Sequence, residues 1–88
     1  MTTIEARQKT SWIIWMTLRK CELSSKELAE ITGIGQASIS RYVREIETPS
    51  VLNLLKIIEV WKQKRGKNEV LQYIENLMNN VFASYDNT

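Results

Sequence analysis

An all-α fold is predicted for this chain on three grounds. Apolar residues recur three and four positions apart, helix-cap signatures mark off successive segments, and the strand signal is weak throughout. The 88 residues fit one small domain, 1–88, because surface-to-volume scaling leaves room for a single core. No period of 20 to 50 residues repeats and no low-complexity tract interrupts the pattern.

The elements follow in order. Thr2 and Glu5 form a capping box, in which Thr2 satisfies an early N–H and Glu5 reaches back, so the first helix is expected to run to about Lys20. Thr10 and Ser11 offer a later start. Ile14, Leu18 and Cys21 share one face of this helix, while Trp12, Ile13 and Met16 spill onto others, so it should be covered on more than one side. Ser24 and Glu27 form a second capping box, and Leu23 can staple onto Leu28. The second helix should span Ser25 to Thr32, with Leu28, Ile31 and Thr32 inward and Gly33 ending it in the left-handed conformation. Only Gly33, Ile34 and Gly35 then separate it from a third helix, Gln36 to about Arg44, with Gly35 as its cap and Ile34 stapled onto Ile39. Two short helices joined by a tight glycine-containing turn make a helix-turn-helix, here about residues 24–44.

Thr48 is expected to cap a fourth helix with Pro49 in its first position, where a missing N–H costs nothing. Its apolar positions are read as Val51, Leu54, Leu55, Ile58 and Trp61, and its basic tail stops at Gly66. A fifth, amphipathic helix follows from about Asn68 to Ser84, with Val70, Ile74, Leu77, Met78, Val81 and Phe82 as its stripe.

Formal net charge is only +2, so any polyanion must be met by a local patch. Residues 1–20 carry four basic groups and one acidic, residues 51–67 five and one, whereas residues 68–88 carry three acids and no base. The C-terminal segment is therefore a poor phosphate binder. A single cysteine cannot form an internal disulfide, and with no signal sequence in view the chain reads as a reduced, cytoplasmic protein. The apolar run at 12–16 is too short to span a bilayer. Without histidine, a metal-ligand cluster or a phosphate-cradling glycine loop, the residues suggest no cofactor, metal, small-molecule ligand or catalytic constellation, and an enzyme is not expected.

Leu23, Ser24, Glu27, Leu28 and Ala29, the turn Gly33, the inward Ile39 and Tyr42, and Pro49, Ser50 and Leu54 together resemble the DNA-binding domain of the Cro and lambda-repressor-like helix-turn-helix family. The likeness covers Leu23 to Trp61 and implies a five-helix lambda-repressor-like domain whose third helix lies in the major groove of double-stranded DNA. Gln36, Ala37, Ser40 and Arg41 are then the base-reading candidates. Gln pairs bidentately with adenine, Arg with guanine O6 and N7, and Ala packs on a thymine methyl. Ser25 and Lys26 at the start of the second helix, Ser38, and Arg44 are the phosphate candidates.

Two departures from the family pattern stand out. The family often pairs an Arg in the first helix with a Glu ending the third. Leu18 and Val43 hold those places here, a joint apolar replacement that removes two charges from the interior and should bring the two side chains together. Glu45 stands where the family often has glycine, which suggests a different loop path. Glu45 and Glu47 both approach a polyanion and must point away or find a cation. The basic run Lys62 to Lys67 reads as helix-end solvation or as a flanking-DNA contact. Cys21 reads as a small core filler, and Trp12, Trp15 and Trp61 read as core.

The fifth helix needs a surface to cover, either the first helix of its own chain or that of a second copy. A homodimer places two recognition helices roughly 34 Å apart, so Val70, Ile74, Leu77, Met78, Val81 and Phe82 are the dimerisation candidates. The expected function is a sequence-specific transcriptional regulator, a repressor binding a palindromic operator and occluding a promoter. The alternative is a protein-binding module, an antitoxin or anti-repressor, using the C-terminal apolar helix.

Overall fold

A computed structural model describes residues 1–81: α1 (Thr3–Lys20), α2 (Ser25–Thr32), α3 (Gln36–Val43), α4 (Val51–Arg65), α5 (Lys67–Asn76) and a closing π-helical turn (Leu77–Val81). No strand occurs among the described residues, and the all-α class holds. None of these helices is long and apolar enough to cross a membrane.

The helix starts follow local chemistry. Thr2 Oγ1 accepts from Glu5 N at 3.1 Å and Glu5 returns the bond to Thr2 N, so α1 begins at the earlier of its two candidate starts. Ser24 and Glu27 close the same reciprocal pair on α2 at 3.0 and 2.9 Å. At α4 the expected cap is corrected. Ser50, not Thr48, accepts from Asn53 N at 3.1 Å, and Pro49 lies ahead of the helix instead of in its first position.

Two apolar clusters make up the interior. In the first, Ile14 of α1, Leu28 of α2, Ile34 of the turn, Ile39 and Tyr42 of α3, and Ile57 and Val60 of α4 are buried together. Leu18, Leu23, Ala29 and Val43 pack against them, so Leu18 and Val43 flank one core and no charge is buried at either place. The second cluster joins Ile13 and Met16 of α1 to Trp61 of α4, Val70 of α5 and Leu77. Tyr73 stands between Trp12 and Trp61 at ring-centroid distances of 6.0 and 5.9 Å, within the range of favourable aromatic pairing. Cys21 packs at its edge, and burial pushes its thiol pKa up, which keeps it protonated and unreactive near neutral pH.

The surplus apolar surface of α1 is thus covered within the chain, the first of the two arrangements that the sequence leaves open for the fifth helix. Val70 and Leu77 are buried and Ile74 packs on the second cluster, while Met78 is exposed. The side chain of Val81, all of Phe82 and the expected end at Ser84 lie outside the described residues.

Three other sequence readings are corrected. Ile31 of α2 is 54% exposed and does not face inward. On α4, Val51 and Leu55 are exposed while Ile57 and Val60 are buried, so the inward stripe is rotated from the one expected. Trp15 is exposed, with the Arg19 guanidinium 4.8 Å above its ring. In the basic run, Lys62 pairs with Glu59 and Arg65 with Glu69, two of its charges being met by the chain's own acids.

Glu69 ties α5 to α4. It accepts from the indole Nε1 of fully buried Trp61 at 2.9 Å and from Arg65 at 3.0 Å. Glu69→Ala is expected to cost about 1–3 kcal/mol in urea unfolding, because it strands a buried donor, whereas Glu69→Gln keeps an acceptor and should lose less. The hydrogen bond from Arg65 holds the Glu69 carboxyl below its usual pKa. The backbone N–H of Thr2 and that of Ser24 do the same for Glu5 and Glu27. Lowered folded-state values mean that these contributions are present above the ordinary value of 4.5 and lost as pH falls through the lowered ones. The urea midpoint should therefore hold down to that region and decline below it, less steeply in Glu69→Gln.

Candidate nucleic-acid interface

The turn between α2 and α3 is built by two residues with different tasks. Gly33 adopts φ 77°, ψ 6°, a left-handed cap that a side chain would strain, and donates its N–H to Ala29 O at 2.8 Å. Thr32 Oγ1 donates to Leu28 O at 2.7 Å and accepts from Ile34 N at 3.2 Å, which stitches the turn from inside. Gly35 has ordinary extended dihedrals, φ −63° and ψ 140°, so the backbone there does not require glycine.

Helix α3 is anchored along its inner face. Ile39 is 0% and Tyr42 3% exposed. Its C-terminal end is held from two sides. Buried Ser11 of α1 donates to Val43 O at 2.7 Å, and Asn53 Nδ2 of α4 donates to the Tyr42 hydroxyl at 3.0 Å. Sequence reasoning missed both residues as positioning groups. The only available signal was a hydroxyl and an amide set within apolar runs.

The outer face carries the expected base-reading residues together. Gln36 and Ala37 are exposed, and Ser40 and Arg41 are half-buried. Arg41 is not free. Its Nε donates to Glu47 Oε1 at 3.2 Å and its Nη2 to Ser38 Oγ at 3.2 Å. Glu47 has found the cation it needed, and that cation is a proposed reading residue. Of the phosphate candidates, Ser38 thus already accepts a hydrogen bond, while its own hydroxyl hydrogen remains to donate. Lys26 and Arg44 are exposed and Ser25 is half-buried. The N–H groups of Ser25 and Lys26, in the first turn of α2, have no partner among the described residues, the usual state of helix-start donors that an anion can satisfy.

Glu45 stands at the turn that ends α3. It takes the left-handed conformation itself, at φ 62°. Its N–H donates to Tyr42 O at 3.1 Å and that of Ile46 to Arg41 O at 2.9 Å, the paired bonds of a Schellman cap. Glu22 ends α1 in the same way at φ 54°, with Leu23 N donating to Leu18 O at 2.9 Å. Two glutamates therefore occupy positions that favour glycine.

A family model described as Helix-turn-helix matches residues 16–60, from the last turns of α1 through most of α4. The chain belongs to this helix-turn-helix family, of the Cro and lambda-repressor-like type. The match contains α2, the Gly33 turn, α3 and the whole first core cluster except Ile14. Membership makes this helix-turn-helix chain a DNA-binding regulator of transcription. No curated protein and no solved structure matches it. Helix α5 lies beyond the matched segment.

Left-handed geometry costs a residue with a side chain about 1–2 kcal/mol, partly offset by the greater unfolded-state freedom of glycine. Glu45→Gly should therefore stabilise the fold by about 0.5–1 kcal/mol and raise Tm by about 2–8 °C in a thermal melt. Removing a carboxylate beside the expected reading face should also tighten DNA binding, as measured by fluorescence anisotropy.

Proposed function

We propose that this helix-turn-helix regulator is a repressor that binds a palindromic operator as a homodimer and blocks a promoter by occupying it. The observation that carries the reading is the division of α3. Ile39 and Tyr42 are buried, while Gln36, Ala37, Ser40 and Arg41 form an outward face suited to base edges. Ser25, Lys26, Ser38 and Arg44 are proposed to contact phosphates on either side and set the register.

The homodimer rests on recognition geometry. One helix of eight residues reads few base pairs, and two-fold pairing doubles the site and makes it palindromic. Across α5 and the turn after it, the burial of Val70 and Leu77 leaves Met78, among the described residues, as the exposed dimerisation candidate, with exposed Leu71 seven residues before it. The same burial weakens the alternative of an antitoxin or anti-repressor that grips another protein through this stripe.

Selection of bound sequences from a random DNA pool, with the mass of the complex measured alongside, tests site, symmetry and stoichiometry together. An asymmetric site bound by one chain would overturn the homodimer. Arg41→Ala is expected to cost about 1–3 kcal/mol at one base position of each half-site. Lys26→Ala should weaken binding to all sequences alike and reduce the slope of log K against log salt by about 1. Unchanged affinity and preference in Arg41→Ala would exclude the proposed reading face.

A further inference from the structure

We propose that Glu47 is a specificity-determining positioning residue, which holds the Arg41 guanidinium so that its Nη1 and Nη2 edge is the one offered to a guanine. The inference rests on the reading of α3 as the base-contacting helix. It goes beyond that reading by assigning a role to an acid that the phosphates of DNA would repel.

Arg41 is held at two points. Ser38, one turn earlier on α3, accepts from Nη2, and Glu47, from the following loop, accepts from Nε. A guanidinium has five N–H groups, and these two bonds use one on Nε and one on Nη2. The remaining donors are all on Nη1 and Nη2, at the end of the fork away from the chain. A guanine presents O6 and N7 side by side and is met by two parallel donors. With Nε occupied, side-on approach is closed and end-on approach is left.

The loop geometry points the same way. The Schellman cap, with Ile46 N on Arg41 O and Glu45 left-handed, turns the chain back on α3, and Glu47 follows directly. The strained Glu45 turn and the Arg41–Glu47 bond thus belong to one local structure. Folding stability does not account for the pair. Its side chains are 41% and 45% exposed, and pairs so exposed contribute little. A carboxylate beside DNA is also repelled by phosphates, so its benefit must lie in geometry. An untethered arginine searches many rotamers and can meet either a phosphate or a base, whereas a tethered one is committed before contact.

The test is selection from a randomised DNA pool with the full chain and its Arg41→Ala, Glu47→Ala and Glu47→Gln variants, together with affinity for a random-sequence duplex. Arg41→Ala identifies the base position that Arg41 reads. Glu47→Ala should lower discrimination at that same position by about 2- to 12-fold, the worth of one net hydrogen bond, without weakening random-sequence binding. Glu47→Gln, which still accepts from Nε, should restore most of the preference, a rescue that a purely electrostatic role would not give. The proposal is overturned if both Glu47 variants tighten binding to every sequence alike with preferences unchanged. It is also overturned if Glu47→Ala relaxes a position that Arg41→Ala leaves intact, since Glu47 would then contact a base itself. Failure of the wild-type chain to enrich any sequence would instead overturn the DNA-reading assignment on which the proposal stands.

Discussion

The eight residues of α3 form too short a helix to be stable alone, since isolated helices below about 12–15 residues are marginal in water. Its existence and its angle therefore depend on the core behind it. Ile39 and Tyr42 supply the apolar grip, and full burial of such a side chain is worth about 1.5–3 kcal/mol relative to exposure. Apolar packing alone allows sliding, and the hydrogen bonds from Ser11 and Asn53 prevent it at the C-terminal end. The Ser11 bond has a further effect: Val43 O is one of the carbonyls a helix end leaves without an internal partner, and α1 satisfies it. A face whose neighbours are fixed in this way can present a side-chain pattern in one orientation.

The second cluster supports the first. Helix α1 serves both, with Ile14 toward α3 and Ile13 and Met16 toward α5. Without α5, Ile13, Met16 and Trp12 would be uncovered on a domain that has little stability to spare. The aromatic contacts of Tyr73 and the Glu69 bond to Trp61 make this cover directional, so α5 seats α1 and α4 as a pair. The packing behind α3 thus extends through α1 to α5.

What was legible in the sequence was what local chemistry decides. Both capping boxes and the Gly33 turn depend on residues at most four positions apart, and each forms as read. Helix faces were harder wherever apolar residues crowd. Between Val51 and Trp61, α4 carries Leu52, Leu54, Leu55, Ile57, Ile58 and Val60, so periodicity admits more than one stripe and tertiary packing chooses Ile57 and Val60. Ile31 misled for the same reason, an apolar residue at helical spacing left at the rim. The Arg41–Glu47 bond was illegible because it depends on the left-handed turn at Glu45, and the sequence at that position argues against such a turn.

Glu45 and Glu47 illustrate why counting charges near a polyanion is a poor guide. Counted by residue, α3 and the loop after it hold Arg41 and Arg44 against Glu45 and Glu47 and come out neutral. The structure divides them otherwise. Glu47 is bound to Arg41 and Arg44 is exposed, while Glu45 meets a backbone requirement at a conformational cost. With Arg41 paired, α3 and the loop after it are left with Arg44 as the cation outside an ion pair among the described residues, and so add little to counterion release, the sequence-independent part of DNA affinity. On the proposed reading, discrimination between sites comes from fixed donors and acceptors, and a tethered arginine on a clamped helix is such a donor.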